Sequence, residues 1–219
     1  MDSAINSRSR IKTAYKQSSI FFNPYQDIGL AIGKKMSGKS YALKKLLAPV
    51  NRVIVWDYNH EHKDKLIVHE LSTLNAVWRE NRFSKRIAFQ PYDRTPEAFE
   101  AFLNWVYNNA VYVCLVIEEV RIYTLQNRAP KILFTLLDTG RHIPKIGVWC
   151  TSRRAKGVTV DIPYNADHIL VFKMQRPEDI KYMGEFMDSD LVEALREKPP
   201  YYFAYYNGKD GETEIHKPL

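Results

Sequence analysis

Apolar residues in this chain fall into short continuous runs, and the segments between the runs show helical spacing. Continuous apolar runs are typical of strands that are buried on both faces of a parallel sheet. We predict such strands at 27–32, 52–57, 86–90, 111–117, 145–151 and 168–173. Strands that alternate with helices predict an α/β domain, with a doubly wound and mainly parallel central sheet flanked by helices.

Two of the intervening segments carry clear helix signals. Apolar residues within 43–47 form one face at helical spacing, which ends before Pro49. The second segment begins with Thr95 as a capping residue and Pro96 at the first helical position, and its apolar stripe ends at 108–109. Further helices are predicted from Ser72 to Arg79, over 131–137, and between Arg176 and Pro199.

The two ends of the chain differ from its middle. A turn at Asn207 separates two short strand-like runs, which predicts a C-terminal β-hairpin at about 201–216. Residues 1–24 are polar and basic without the apolar stretch of a secretory signal, so they form an arm that contacts a neighbour or DNA, or a disordered tail. We predict one domain over 25–219, and no apolar run approaches the ~20 residues of a membrane span.

Composition and charge narrow the functional classes. The 219 residues carry 32 basic and 25 acidic side chains, and the net charge of +7 favours a polyanionic partner such as nucleic acid. Cys114 and Cys150 lie within predicted strands, as buried small hydrophobic residues in a reducing compartment would. The histidines show no recognised metal-ligand spacing, and the pair His60 and His62 falls in a predicted turn, so we do not expect a metal there.

A phosphate-binding loop is the strongest motif in the chain. Gly33–Ser40 matches the pattern G-x-x-x-x-G-K-[ST], between a predicted strand and a predicted helix. Glycines let the backbone wrap a triphosphate with its N–H groups inward, while Lys39 reaches the β- and γ-phosphates and Ser40 holds Mg²⁺. The predicted cofactors are therefore ATP and Mg²⁺. The predicted ATP-binding residues are Gly33, Lys34, Lys35, Met36, Ser37, Gly38, Lys39, Ser40 and Tyr41.

Paired acids at the end of the most apolar strand indicate ATP hydrolysis. Glu118 and Glu119 directly follow 111–117. Glu118 is predicted to orient Mg²⁺, and Glu119 to polarise the attacking water beside the γ-phosphate. The metal-side acid of such sites is usually Asp, and Glu118 is one methylene longer.

Four segments together resemble the FtsK/HerA superfamily of hexameric DNA-pumping ATPases. The sequence is most similar to the small genome-packaging ATPases of archaeal and membrane-containing viruses. The resemblance covers Ile28 to Lys181, and His60, Ser152 and Arg154 depart from the usual Gly, Gln and Pro of the family pattern. The segments that carry it are 33–40, 55–61, 116–119 and the long run from 139 to 180.

The resemblance implies a RecA-like P-loop NTPase fold of the ASCE type. It also implies a homo-oligomer, a hexameric ring that translocates double-stranded DNA and packages a viral genome into a capsid. Thr151 or Ser152 would sense the γ-phosphate, and Arg141, or else Arg153, would act on a neighbouring subunit's nucleotide. The expected location is the cytoplasm of an infected host cell or the virion, with capsid or inner-membrane proteins of the virion as further partners.

Basic residues in the loops after the two central strands are candidates for gripping DNA phosphates. Such contacts are blind to sequence and sensitive to salt, although a run of charge is also typical of a solvated face. The candidates are Arg121, Arg128, Lys131, Arg154 and Lys156.

Three alternatives stay open. A small nucleoside or nucleotide kinase would share the phosphate loop, but more often carries an Arg-rich lid in place of Glu118–Glu119. A non-packaging HerA-like translocase or helicase would share every motif. A non-hydrolysing ATP-binding scaffold in the same ring is consistent with the departures at Glu118 and Ser152.

Overall fold

The computed structural model describes residues 20–80, 85–125 and 128–219. Most of the predicted basic arm, residues 1–24, lies outside these ranges, so its contacts stay a prediction. The described residues include every candidate site residue named above.

One central sheet organises the described part of the chain, in which nine strands pair in the order β3-β4-β2-β5-β6-β1-β7-β8-β9. Strands β1 to β7 pair in parallel, and β8 and β9 continue the sheet antiparallel as the predicted C-terminal hairpin. The mainly parallel α/β architecture predicted from the sequence is confirmed. In chain order the strands are Ile28–Ile32, Arg52–Trp56, Leu66–Val68, Lys85–Phe89, Val113–Ile117, Ile146–Ser152, His168–Phe172, Phe203–Asn207 and Glu212–His216.

Helices connect the strands and cover both faces of the sheet. The predicted cap is confirmed, because Thr95 Oγ1 accepts a hydrogen bond from the Ala98 N–H at 3.2 Å and Pro96 opens the helix. Helix α5 continues into a single π-helical turn, Leu136–Gly140. Helices α1 to α8 are Lys39–Leu46, Leu71–Glu80, Pro96–Asn109, Arg121–Thr124, Lys131–Thr135, Asp161–Asn165, Pro177–Met183 and Ser189–Ala194.

Three short elements escaped sequence prediction. Strand β3 pairs with β4 at the edge of the sheet, but it has only three residues and two of them are exposed, so it lacks a continuous buried run. Helices α4 and α6 have four and five residues, too few for a stripe of helical spacing.

The core lies on both faces of the parallel strands. On one face the Trp56 ring contacts Phe89, Phe99, Phe102 and Tyr123, with ring centroids 5.0–5.7 Å apart. Both cysteines are buried free thiols, as expected, and burial raises the pKa of the Cys150 thiol to about 12.

The strand order determines where the functional loops meet. Strand β6 lies between β1, which leads into the phosphate loop, and β5, which leads into the paired acids. Because the carboxyl ends of parallel strands lie on the same side of a sheet, the loops after β1, β2, β5 and β6 converge there.

No helix in the described ranges is long and apolar enough to cross a membrane.

Candidate nucleotide-binding site

The phosphate loop occupies the tight turn between β1 and α1. Its backbone is tied down on both sides, since the Gly33 N–H donates to the Ser152 carbonyl at 3.2 Å and the Lys34 N–H to the Lys173 carbonyl at 3.0 Å. Gly38 has φ of +108°, and a Cβ there would lie 3.1 Å from the Tyr201 ring, so the position suits glycine. The backbone at the start of the loop is therefore held by hydrogen bonds to residues at the ends of β6 and β7.

Lys39 spans the inside of this loop. Its buried ammonium donates to the Gly33 carbonyl at 2.7 Å and to the Lys34 carbonyl at 3.0 Å. Burial lowers the pKa of Lys39 to about 8, and the nearby Glu119 carboxylate partly opposes this shift. Ser40 follows on the same helical turn and is exposed.

A polar cleft with about 370 Å³ of empty space lies beside the loop. It brings together residues from four separate loops, as the sheet topology requires. Its lining residues are Lys35, Met36, Lys39, Ser40, Asn59, Glu61, Glu118, Glu119, Thr151 and Arg153. Asn59 and Glu61 were not predicted as site residues, although their segment carried part of the family resemblance.

Glu118 is the deeper of the two predicted acids. Its Oε1 atom lies 2.7 Å from His62 Nε2, and its buried Oε2 atom has no hydrogen-bond partner among the described residues. Burial raises the pKa of Glu118 and the neighbouring Asp57 carboxylate adds to this, while the hydrogen bond from His62 works in the opposite direction. An unpartnered carboxylate oxygen near the Ser40 hydroxyl suits a hard cation, so these residues fit Mg²⁺.

Glu119 sits at a sharp turn in the backbone. It has φ of +52°, its N–H donates to Thr151 Oγ1 at 3.3 Å, and its Oε1 accepts from Arg153 Nε at 2.8 Å. The left-handed turn lets consecutive acids, Glu118 and Glu119, line the same cleft, whereas consecutive residues of a strand point to opposite faces. Arg153 thus lies against the acid of its own subunit.

The two candidate sensor residues occupy different environments. Thr151 lines the cleft. Ser152 is fully buried and its Oγ donates to the Arg154 carbonyl at 2.6 Å, so it shapes the turn after β6. Of the two alternatives, the structure brings only Thr151 next to Lys39 and Glu119.

Arg141 lies away from this cleft. It precedes β6, at the end of the parallel strands opposite the cleft. There it forms an ion pair with Asp167 and donates from Nε to the Gln26 carbonyl at 3.3 Å. The structure therefore does not bring Arg141 together with the other catalytic candidates of this chain. Its action on a neighbouring subunit stays a prediction.

The candidate DNA contacts lie in the segments that follow β5 and β6, with Arg121 and Lys131 at the first positions of helices α4 and α5. Arg154 Nε is 2.6 Å from Asp179 Oδ2, so this arginine is ion-paired to helix α7. Arg121 Nε donates to the Lys156 carbonyl at 2.8 Å, which joins the two loops. The side chains of Lys156, Arg128 and Lys131 are exposed.

Solved structures with the same fold include viral genome-packaging enzymes. The DNA-packaging ATPase B204 from Sulfolobus turreted icosahedral virus is 23% identical, with a TM-score of 0.75 over 90% of this chain and 100% of that one. The genome packaging NTPase B204 from Sulfolobus turreted icosahedral virus 2, in complex with ATP-γS, is 21% identical, with a TM-score of 0.74 over 90% and 100%.

A bacterial protein is also similar. VirB4 of Thermoanaerobacter pseudethanolicus is 11% identical, with a TM-score of 0.65 over 91% of this chain and 93% of that one. No protein-family model and no curated protein matches the sequence. The likeness establishes the class of fold, that of the P-loop NTPases, as the sequence predicted.

Proposed function

We propose that this protein is a P-loop ATPase that drives double-stranded DNA into a viral capsid. The observation that carries the proposal is the single cleft in which Lys39, Ser40, Glu118 and Glu119 meet. The similar B204 proteins are described as a DNA-packaging ATPase and as a genome packaging NTPase in complex with ATP-γS, which supports both the nucleotide and the process.

The cleft residues divide the hydrolysis reaction among them. The loop N–H groups and Lys39 would bind the β- and γ-phosphates, and Ser40 and Glu118 would hold Mg²⁺, which would neutralise phosphate charge. Glu119 accepts a proton from the water whose oxygen attacks the γ-phosphorus, and ADP leaves with the bridging oxygen. Thr151, which lines the same cleft, would contact the γ-phosphate.

DNA would be gripped along the same edge of the sheet. Exposed cations on the loops after β5 and β6, with Lys156 and Arg128 among them, suit phosphate contacts that ignore base sequence. The net charge of +7 favours such a partner. We propose a homo-oligomeric ring, hexameric by resemblance, that acts in the host cytoplasm or on the virion and docks on capsid or inner-membrane proteins of the virion.

Phosphate release from ATP tests the proposal directly. The purified protein is assayed with and without double-stranded DNA at low and moderate salt, with Lys39→Ala, which should bind nucleotide weakly, as the control for contaminating ATPases. We expect DNA to stimulate hydrolysis, and the stimulation to fade as salt rises because the contacts are to phosphates. Hydrolysis that is indifferent to DNA at every salt concentration, or phosphate transfer to added nucleosides, would contradict the motor and favour the kinase.

A further inference from the structure

The loop after β2 folds back onto the predicted magnesium-side acid. His62 Nε2 lies 2.7 Å from Glu118 Oε1, and the Lys65 ammonium lies 2.9 Å from His62 Nδ1. An ammonium only donates, so Nδ1 must accept, and the imidazole proton is therefore on Nε2 and directed at Glu118. The chain Lys65–His62–Glu118 thus holds the imidazole in one orientation.

Asp57 holds the backbone of the same loop through hydrogen bonds. It is fully buried, and its carboxylate accepts from the N–H groups of Glu61 and His62, each at 2.9 Å. Gln90 Nε2 donates to it as well, at 2.7 Å. These bonds place the backbone of His62, so the position of the imidazole over Glu118 is determined by the fold.

A metal ion held directly by this cluster is the main alternative. Ligand atoms of Asp57, His62 and Glu118 lie within 4.8 Å of one another. However, a metal needs an unprotonated nitrogen, and here one imidazole nitrogen carries the proton while the other accepts from the Lys65 ammonium. Asp57 already accepts three hydrogen bonds, so the cluster is arranged to orient a carboxylate.

We propose that His62 is a positioning residue for Glu118 in Mg²⁺–ATP binding, and that it compensates for the extra methylene of glutamate at this position. A glutamate has one more rotatable bond than an aspartate, so its carboxylate is harder to hold in one orientation. The bond from His62 to Oε1 fixes that rotation and leaves Oε2 without a hydrogen-bond partner among the described residues, so that Oε2 is available to a metal ion. This inference rests on the proposed function, since it assigns a role within the same site.

The test compares two substitutions of His62, of which only one keeps an N–H donor. His62→Ala removes the N–H, while His62→Gln places an amide N–H at a similar distance from the backbone. Binding of a fluorescent ATP analogue is titrated with Mg²⁺ and repeated in EDTA. Partners of metal-binding groups typically change metal affinity 10–100-fold, so we expect His62→Ala to raise the half-maximal Mg²⁺ concentration by about 10-fold or more. His62→Gln should stay within a few-fold of wild type, and binding in EDTA should not change.

A matched control comes from the same loop. His60 lies two residues before His62, and its Nε2 atom lies 3.0 Å from Arg94 Nη2. Because this contact does not involve Glu118, His60→Ala should leave the Mg²⁺ titration unchanged. A double-mutant cycle adds a second readout: in a Glu118→Asp background the shorter acid no longer reaches His62, so His62→Ala should have little further effect.

Several results would overturn the inference. An unchanged Mg²⁺ titration in His62→Ala, or an equal loss of binding in EDTA, would show that the residue is only structural. Binding of Mn²⁺ by the wild-type protein without nucleotide, abolished in His62→Ala, would make the cluster a metal site instead. Because the readout is nucleotide binding, it remains valid if the protein fails to hydrolyse ATP, which would contradict only the proposed function.

Discussion

Glu119 combines a strained backbone with the position predicted for the catalytic base. A side chain other than glycine in the left-handed region costs about 1–2 kcal/mol, and here the Val120 N–H compensates by donating to the Thr151 carbonyl at 3.0 Å. Strain of this kind accumulates at functional sites. The turn brings the Glu119 carboxylate into the cleft that Lys39 and Arg153 also line.

Replacing this carboxylate should separate ATP binding from hydrolysis. Glu119→Gln keeps the size of the side chain but removes the proton acceptor, so we expect ATP affinity to persist while turnover falls by about 10²–10⁴-fold. Lys39→Ala should instead weaken nucleotide binding itself. Equilibrium binding and steady-state phosphate release measure the two effects, and Glu100→Gln on an exposed helix face serves as the control. Normal turnover in Glu119→Gln would exclude the residue as the base.

At the scale of elements, a row of hydrogen-bonded polar side chains joins β1 to the C-terminal hairpin, at the end of the strands opposite the cleft. Asp27, directly before β1, accepts from the Asn23 N–H at 2.7 Å and lies 3.0 Å from His168 Nε2 on β7. His168 Nδ1 in turn lies 2.8 Å from the Tyr205 hydroxyl on β8. The strand that leads into the phosphate loop is thereby tied to β7 and β8.

This chain should make stability depend on pH. Although burial works to raise the pKa of Asp27, hydrogen bonds from His168 and the Asn23 N–H hold it below its ordinary value. A lowered folded-state pKa stabilises the protein above the unfolded-state pKa of about 3.9, and the contribution is lost as the pH falls through the folded value. Asp27→Asn should therefore lower the free energy of unfolding by about 1–3 kcal/mol at pH 7.

Urea unfolding at a series of pH values measures this effect. The difference between wild type and Asp27→Asn should shrink below about pH 4, where Asp27 of the unfolded chain takes up a proton, and it should be lost as the pH falls through the lower folded-state pKa. The exposed Asp138→Asn is the control and should match wild type at every pH. A difference that stays constant down to pH 3 would mean that the ionised carboxylate is not the source.

At the scale of the whole molecule, the structure separates the two arginines that the family resemblance could not. Arg153 contacts Glu119 of its own chain, whereas Arg141 is ion-paired at the opposite edge of the sheet. Within a ring, a residue that acts in its own subunit and one that acts on a neighbour respond differently to mixing of variants.

Subunit mixing should place Arg153 in its own site. Arg153→Ala and Glu119→Gln would each be inactive alone. If both residues act in the cleft of their own subunit, every subunit of a mixed oligomer still carries one defect. The mixture should then hydrolyse no more ATP than the two variants measured separately. The same experiment with Arg141→Ala tests its predicted action on a neighbour, for which mixing should restore part of the activity. Recovered hydrolysis in the Arg153 mixture would contradict a role within one chain.

Local signals explain which elements the sequence revealed. The long buried strands, the Thr95 cap, the phosphate loop and the paired acids each depend on residues close together in the chain, and the structure contains all of them. Strand β3 and the short helices α4 and α6 escaped because each has too few residues to show a period. These three elements form because neighbouring elements pack or pair with them, as β4 pairs with β3.

The sequence by itself determined the fold class, the nucleotide loop and the acids of the candidate site, since short-range patterns encode them. Only the tertiary structure decided which distant residues join that site. The strand order β5-β6-β1 brings Thr151 to the cleft and buries Ser152, and the loop after β2 places His62 on Glu118, 56 positions along the chain. Contacts at such separation follow from strand pairing, which no local pattern specifies, and for the same reason the Arg141–Asp167 pair was not evident from sequence.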